Sequence, residues 1–149
     1  MSELRSSLLT FALLGGVVFG CSGVRPRDLG LRAGMLRPCP DTPNCVSSEA
    51  GTRESQRVAA FGAPGGRAEM TRLAALVEAS PRTAVITNTG AYVHAESTSL
   101  VWRFVDDVEF RYDSSAGIIH VRSASRVGRG DLGVNRKRVE GLRTQWEVK

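Results

Sequence analysis

Between Thr83 and Ser123 apolar and polar residues alternate with a period of two, and on either side of that stretch the apolar positions recur every three or four residues. The first pattern is that of half-buried strands and the second that of amphipathic helices. Met70, Leu73, Ala74 and Val77 share one face while Glu69, Arg72 and Glu78 point away, which predicts a helix over 67–79 that Ser80-Pro81 ends. Strands are predicted at 83–87 and 91–97, joined by a turn at Asn88-Thr89-Gly90. From Leu100 to Tyr112 the even positions read Leu100, Trp102, Phe104, Asp106, Val108, Phe110 and Tyr112, with Arg103, Asp107, Glu109 and Arg111 among the odd ones. Asp106 is the one polar residue on that apolar face. A bulge or turn at Asp106-Asp107 is the preferred explanation, and a buried, paired carboxylate the other.

Gly117 closes a short hairpin loop into a strand at 118–123, and Asp131 is placed to cap a last helix. Leu132, Asn135, Val139, Leu142 and Trp146 then follow at spacings of 3, 4, 3 and 4. The resulting order is α-β-β-β-β-α. It implies an α+β domain, a four-stranded antiparallel meander with two helices packed on one face.

Ahead of this domain, residues 8–19 are apolar and free of charge. That run is short for a bilayer span, which needs about 20 residues, and it follows Arg5 as the apolar region of a signal peptide would. Val18-Phe19-Gly20-Cys21 resembles a bacterial lipobox, which implies a signal peptide over 1–20 and lipid on Cys21. Ser22 follows where an inner-membrane retention signal would have Asp, so by that resemblance the destination is the periplasmic side of the outer membrane. Residues 22–37 have no steady period and read as a tether, leaving 38–149 as the domain. In an oxidising periplasm Cys39 and Cys45 are expected to form a disulfide. A zinc pair would need further ligands, and a thiol redox motif has two intervening residues where this pair has five.

Composition adds little to the fold and something to the site. With 149 residues, 42% of them hydrophobic and 23% charged, the chain has room for one packed domain. The net charge is +5, and the stretch from Arg122 to Lys149 carries an excess of the same size. Its polar segment 122–138 holds three glycines and several arginines between a strand and a helix N-terminus, which suits a phosphate or carboxylate. The candidate ligand set is Arg103, Asp106, Arg122, Ser123, Ser125, Arg126, Asn135 and Arg136. If Asp106 is buried instead, Arg126 or Arg136 is its expected partner. His94 and Glu96 share one strand side, and His120 and Arg122 another, so a His-Glu-His cluster on the sheet's outer face is a weaker possibility. Catalysis there would fall to His94, Glu96 and Asp107. Neither a cofactor nor a metal is expected, and compartment argues against nucleic acid despite the charge.

Three blocks resemble the domain of unknown function (DUF) 1499 family. They are Cys39-Pro-Asp-Thr-Pro-Asn-Cys-Val-Ser-Ser48, then Tyr92-Val-His-Ala-Glu96 with Arg103-Phe-Val-Asp-Asp-Val-Glu-Phe110, then Ile119-His-Val-Arg-Ser-Ala-Ser-Arg-Val-Gly128 with Asp131-Leu-Gly-Val-Asn-Arg136. Similar proteins are envelope-associated and without an established activity, so the resemblance implies an address and domain limits and no reaction. The function expected is that of a non-enzymatic accessory or small-anion or lipid-binding domain. The membrane is its partner through Cys21, with an anionic ligand or an envelope protein as the second partner. The rivals are an enzyme on the open sheet face and a structural partner of another envelope protein.

Overall fold

Alternation in the central strands sends most apolar side chains to one face of the sheet and most charged ones to the other, with Asp106 the charged exception on the apolar side. A computed structural model describes residues 23–148; the signal-peptide, lipobox and Cys21 expectations lie outside the described residues. The sheet contains β1 (Cys45–Ser47), β2 (Phe61–Gly62), β3 (Thr83–Asn88), β4 (Tyr92–Thr98), β5 (Val105–Asp113) and β6 (Ile118–Ser125), with helices α1 (Glu69–Glu78) and α2 (Val134–Glu147). All pairings are antiparallel, in the order β1-β6-β5-β4-β3, with β2 also on β6. The α+β class and the β3–β6 meander are as predicted. The count of four strands is corrected to six. Two- and three-residue strands are too short to show a period, so β1 and β2 read as loop in the sequence. They cover the far edge of β6, which a four-stranded sheet would leave unpaired.

The core lies between the sheet and the helices. Met70, Leu73, Ala74 and Val77 from α1, and Val139, Leu142 and Trp146 from α2, pack on Val93, Ala95, Val108, Phe110, Ile119 and Val121. Phe61 stands edge-on to both Phe110 and Trp146, with ring centroids 6.0 and 6.2 Å apart. Helix α2 starts two residues later than the spacing predicts. Gly133 caps it with a positive φ of 77°, and Leu132 is 96% exposed instead of beginning the buried stripe. Asp131 still serves the helix end, accepting hydrogen bonds from the N–H groups of Gly133 and Asn135.

Two larger corrections concern segments that the sequence pattern misreads. The strand predicted from Leu100 begins only at Val105, and 99–104 is a loop that exposes Leu100, Val101 and Trp102. Residues 23–37 do not project as a tether. They lie across the charged face of the sheet, where Gly30 N–H donates to Glu109, Arg25 pairs with Glu96 and Leu36 is buried. A tight turn with positive φ at Ala33 and Gly34 folds this strap back on itself between Arg32 and Met35.

Cys39 and Cys45 are disulfide-bonded, their Cα atoms 5.6 Å apart. The bridged loop is held to the rest of the fold through Asn44, whose carbonyl accepts from Ser125 N–H and whose side-chain amide donates to the Gly128 carbonyl. Replacing both cysteines by serine is expected to lower stability by about 2 kcal/mol, the chain-entropy value for so short a loop. Urea unfolding of the two forms checks it.

Candidate functional site

The eight candidate ligand residues do not converge on one pocket. Asp106, Ser123, Ser125 and Asn135 meet on the helix side of the sheet, beneath the N-terminus of α2. Asn135 is fully buried. Its side-chain amide donates to the Asn44 carbonyl, Ser125 Oγ and Asp131, while its oxygen accepts from Ser123 Oγ and Arg138. Asp106 pairs with Arg138. The strand is therefore neither bulged nor broken at Asp106: it is buried and in register with Ser97 and Ser125. Its partner is neither Arg126 nor Arg136. Arg138 lies one helical turn after Asn135, so its head group returns over the sheet, a placement that strand-to-helix spacing alone does not reveal.

Arg122 and Arg126 belong to the opposite face. Arg122, 1% exposed, pairs at 3.1 Å with Glu109, itself fully buried, and Tyr92 and Gly30 complete the shell of that carboxylate. Burial together with the nearby Arg37 charge holds the Arg122 pKa below its usual value, and burial beside Glu109 pushes the Tyr92 hydroxyl above its own. Arg126 binds Asp107 through two nitrogens, at 2.9 and 2.7 Å, and also contacts Glu96. Glu49 and Arg111 form a further two-pronged pair at 2.5 and 2.8 Å. Arg136 reaches elsewhere, to the carbonyls of Ser55 and Arg57. Arg103 is exposed in the 99–104 loop with a positive φ of 58°.

The His-Glu-His cluster that strand sides made possible does not form among the described residues. His120 turns to Ser48, Glu49 and Asp113. His94 instead contacts Asp107, Nε2 to Oδ1 at 2.8 Å, with Glu96 beside them. One ligand atom from each of His94, Glu96 and Asp107 falls within a 4.8 Å span, a spacing that suits a cation. The Arg126 guanidinium already supplies that positive charge. His94 and Asp107 are also buried, at 4% and 2% exposure.

The cleft in this molecule is apolar. It lies at the end of the sheet where the β4–β5 loop (99–104) and the β6–α2 loop (126–133) meet, and encloses about 410 Å³. Leu100, Val101, Trp102, Phe104, Leu132 and Val134 line it, with Asp106 and Ser125 at its base. Those six make up most of the eleven large hydrophobic residues exposed in the described chain. One signal was available in the sequence. Leu100-Val101-Trp102 is a run of consecutive apolar residues, and neighbours in a strand cannot share a face. Two other hollows among the described residues are smaller, about 280 and 150 Å³.

Two predictions follow from the charge pairs. Asp106→Ala strands a largely buried Arg138 and is expected to cost more than about 2 kcal/mol, part of which Arg138→Met restores in the double variant; urea denaturation of the four proteins gives the coupling. Burial alone would raise the carboxyls of Glu49, Glu96 and Asp107, but their arginine partners hold all three below their ordinary values of 4.5, 4.5 and 3.8. A depressed folded value favours the fold above the unfolded one and withdraws that support as pH falls through the folded one. Thermal stability should thus be level above about pH 5 and fall steadily below pH 4. Arg126→Met should flatten the acid limb, as a pH series of melting curves would show.

No curated protein and no solved structure matches the chain. The family model described as "Protein of unknown function (DUF1499)" matches residues 35–146, which contain the disulfide, every strand and nearly all of α2. On that match, the chain belongs to the DUF1499 family.

Proposed function

We propose that this protein is a non-enzymatic, lipid-binding accessory domain of the bacterial envelope, attached through lipid on Cys21 to the periplasmic side of the outer membrane. Its ligand site is the apolar cleft between the 99–104 and 126–133 loops. The observation that carries this reading is the wall of exposed large side chains around that cleft. Soluble domains rarely leave such a group uncovered without a partner. The disulfide and the apolar run at 8–19 support an oxidising, membrane-proximal address.

An anion is a poorer occupant. Arg122, Arg126 and Arg136 are already engaged by carboxylates and carbonyls, and freeing a buried guanidinium costs about 3–5 kcal/mol. The enzymatic reading loses support for a related reason, since His94 and Asp107 are buried, paired with each other and not part of the cleft lining.

Trp102 is 70% exposed in the cleft wall, whereas Trp146 is buried and donates to the Gly62 carbonyl. Titrating residues 22–149 with a monomeric lysophospholipid should therefore shift Trp102 emission to the blue, saturably. Leu132→Asp should weaken the half-point by at least about tenfold, by removing an apolar wall and adding a charge. A response that fails to saturate, or that Leu132→Asp leaves unchanged, would sink the reading.

A further inference from the structure

We infer that the apolar cleft is the face by which this chain sits on a phospholipid bilayer, with Leu100, Val101, Trp102 and Leu132 in the interface and Arg103 and Arg129 against anionic headgroups. The inference rests on the reading of the cleft as a lipid site, and it names the surface that this site meets.

The path of the chain is the first argument. Gly23, the first described residue, is pressed against the β6–α2 loop: a β-carbon there would lie 2.8 Å from Val127 Cγ1 and 3.0 Å from Arg126 Cβ. Val127 lines the cleft. Cys21 is two residues away, at most about 7 Å of chain, and Phe19 is four residues away, at most about 14 Å. A lipid on Cys21, or a retained apolar segment ending at Phe19, therefore attaches the chain to the bilayer at the rim of the cleft. The strap leaves no slack that would carry the domain away, because Arg25 is bound to Glu96 and Gly30 to Glu109.

The side chains at that end are the second argument. Leu100 and Val101 are 71% and 68% exposed at the loop tip beside Trp102, and Val24, next to the chain's point of exit, is exposed as well. Tryptophan beside aliphatic residues suits the boundary between acyl chains and headgroups. Arg103 and Arg129 are exposed in the same two loops. The acidic groups of the cleft are turned inward, Asp106 to Arg138 and Asp131 to the N–H groups of α2. What faces outward is apolar with a basic rim, which fits an anionic leaflet.

The test reconstitutes the full chain into phosphatidylcholine–phosphatidylglycerol vesicles whose acyl chains carry bromine near the headgroup. Trp102 emission should fall by at least about half, as expected of an interfacial indole. The loss should persist in Trp146→Phe and vanish in Trp102→Phe. Arg103→Glu with Arg129→Glu should reduce it and remove its dependence on phosphatidylglycerol. Unquenched Trp102 together with an intact lysophospholipid titration overturns the docking and leaves the cleft as a ligand site. Quenching without a saturable lysophospholipid response has the opposite meaning: the docking stands and the ligand-site reading falls. Unquenched Trp102 whose loop crosslinks to a second copy overturns the docking in favour of a self-interface.

Discussion

The ion pair between Arg122 and Glu109 sets the terms for the rest of the structure. Both side chains are removed from water at the centre of the sheet. Two charges so placed cost several kcal/mol each unless the geometry is good and the remaining lone pairs are filled. Here Glu109 takes hydrogen bonds from Arg122, Tyr92 and the Gly30 amide. The last of these comes from the strap, so residues 23–37 complete the burial of the pair as well as covering it. The flanking pairs extend the same logic outward, Arg126 with Asp107 and Glu96 on one side and Arg111 with Glu49 on the other. A sheet face that alternation would ordinarily leave to solvent becomes a second interior.

That interior decides what the protein can offer a ligand. Its arginines are held by carboxylates, so an incoming anion would compete with partners already fixed in place. The apolar loops stand in the opposite situation. Burial of their side chains returns about 25 cal/mol for each Å² removed from water, and nothing within the described chain covers them. The same distinction separates Asp106 from a catalytic acid. It lies at the base of the cleft, yet its charge is answered by Arg138, and Ser123 and Asn135 are tied to the same guanidinium.

The sequence discloses the parts of this fold that are locally periodic. The faces of α1, the β3–β6 meander and the left-handed glycine at 117 follow from spacing and turn chemistry. The disulfide agrees with the pairing expected from the cysteine count in an oxidising compartment. What stays hidden is set by contacts between residues far apart in the chain. The pairing of β1 and β2 with β6 is of this kind, as is the strap over the sheet. The partner of Asp106 stays hidden because the rotation of α2, and not chain separation, decides that Arg138 and not Arg136 returns over the sheet. Of the candidate site, the two loops are legible as segments, but their chemistry is inverted. The arginines stand out in the sequence and are consumed by the fold, while the consecutive apolar residues at 100–102 pass for part of a strand and end up exposed.

Backbone geometry gives the exposed loops a further meaning. Arg103 and Leu132 both hold positive φ, at 58° and 53°, one in each of the two loops that border the cleft. For residues with a β-carbon such a conformation costs about 1–2 kcal/mol. Glycine would relieve it, and glycines stand close by at 128, 130 and 133. Glycine at 103 or 132 would also remove the side chain that the turn holds away from the core. Leu132 in particular is almost wholly exposed, so the strain is not offset by burial within this chain. A strained backbone that presents a leucine to the outside is intelligible if the missing burial comes from a partner, and the strap brings Gly23 to that same edge, against Val127.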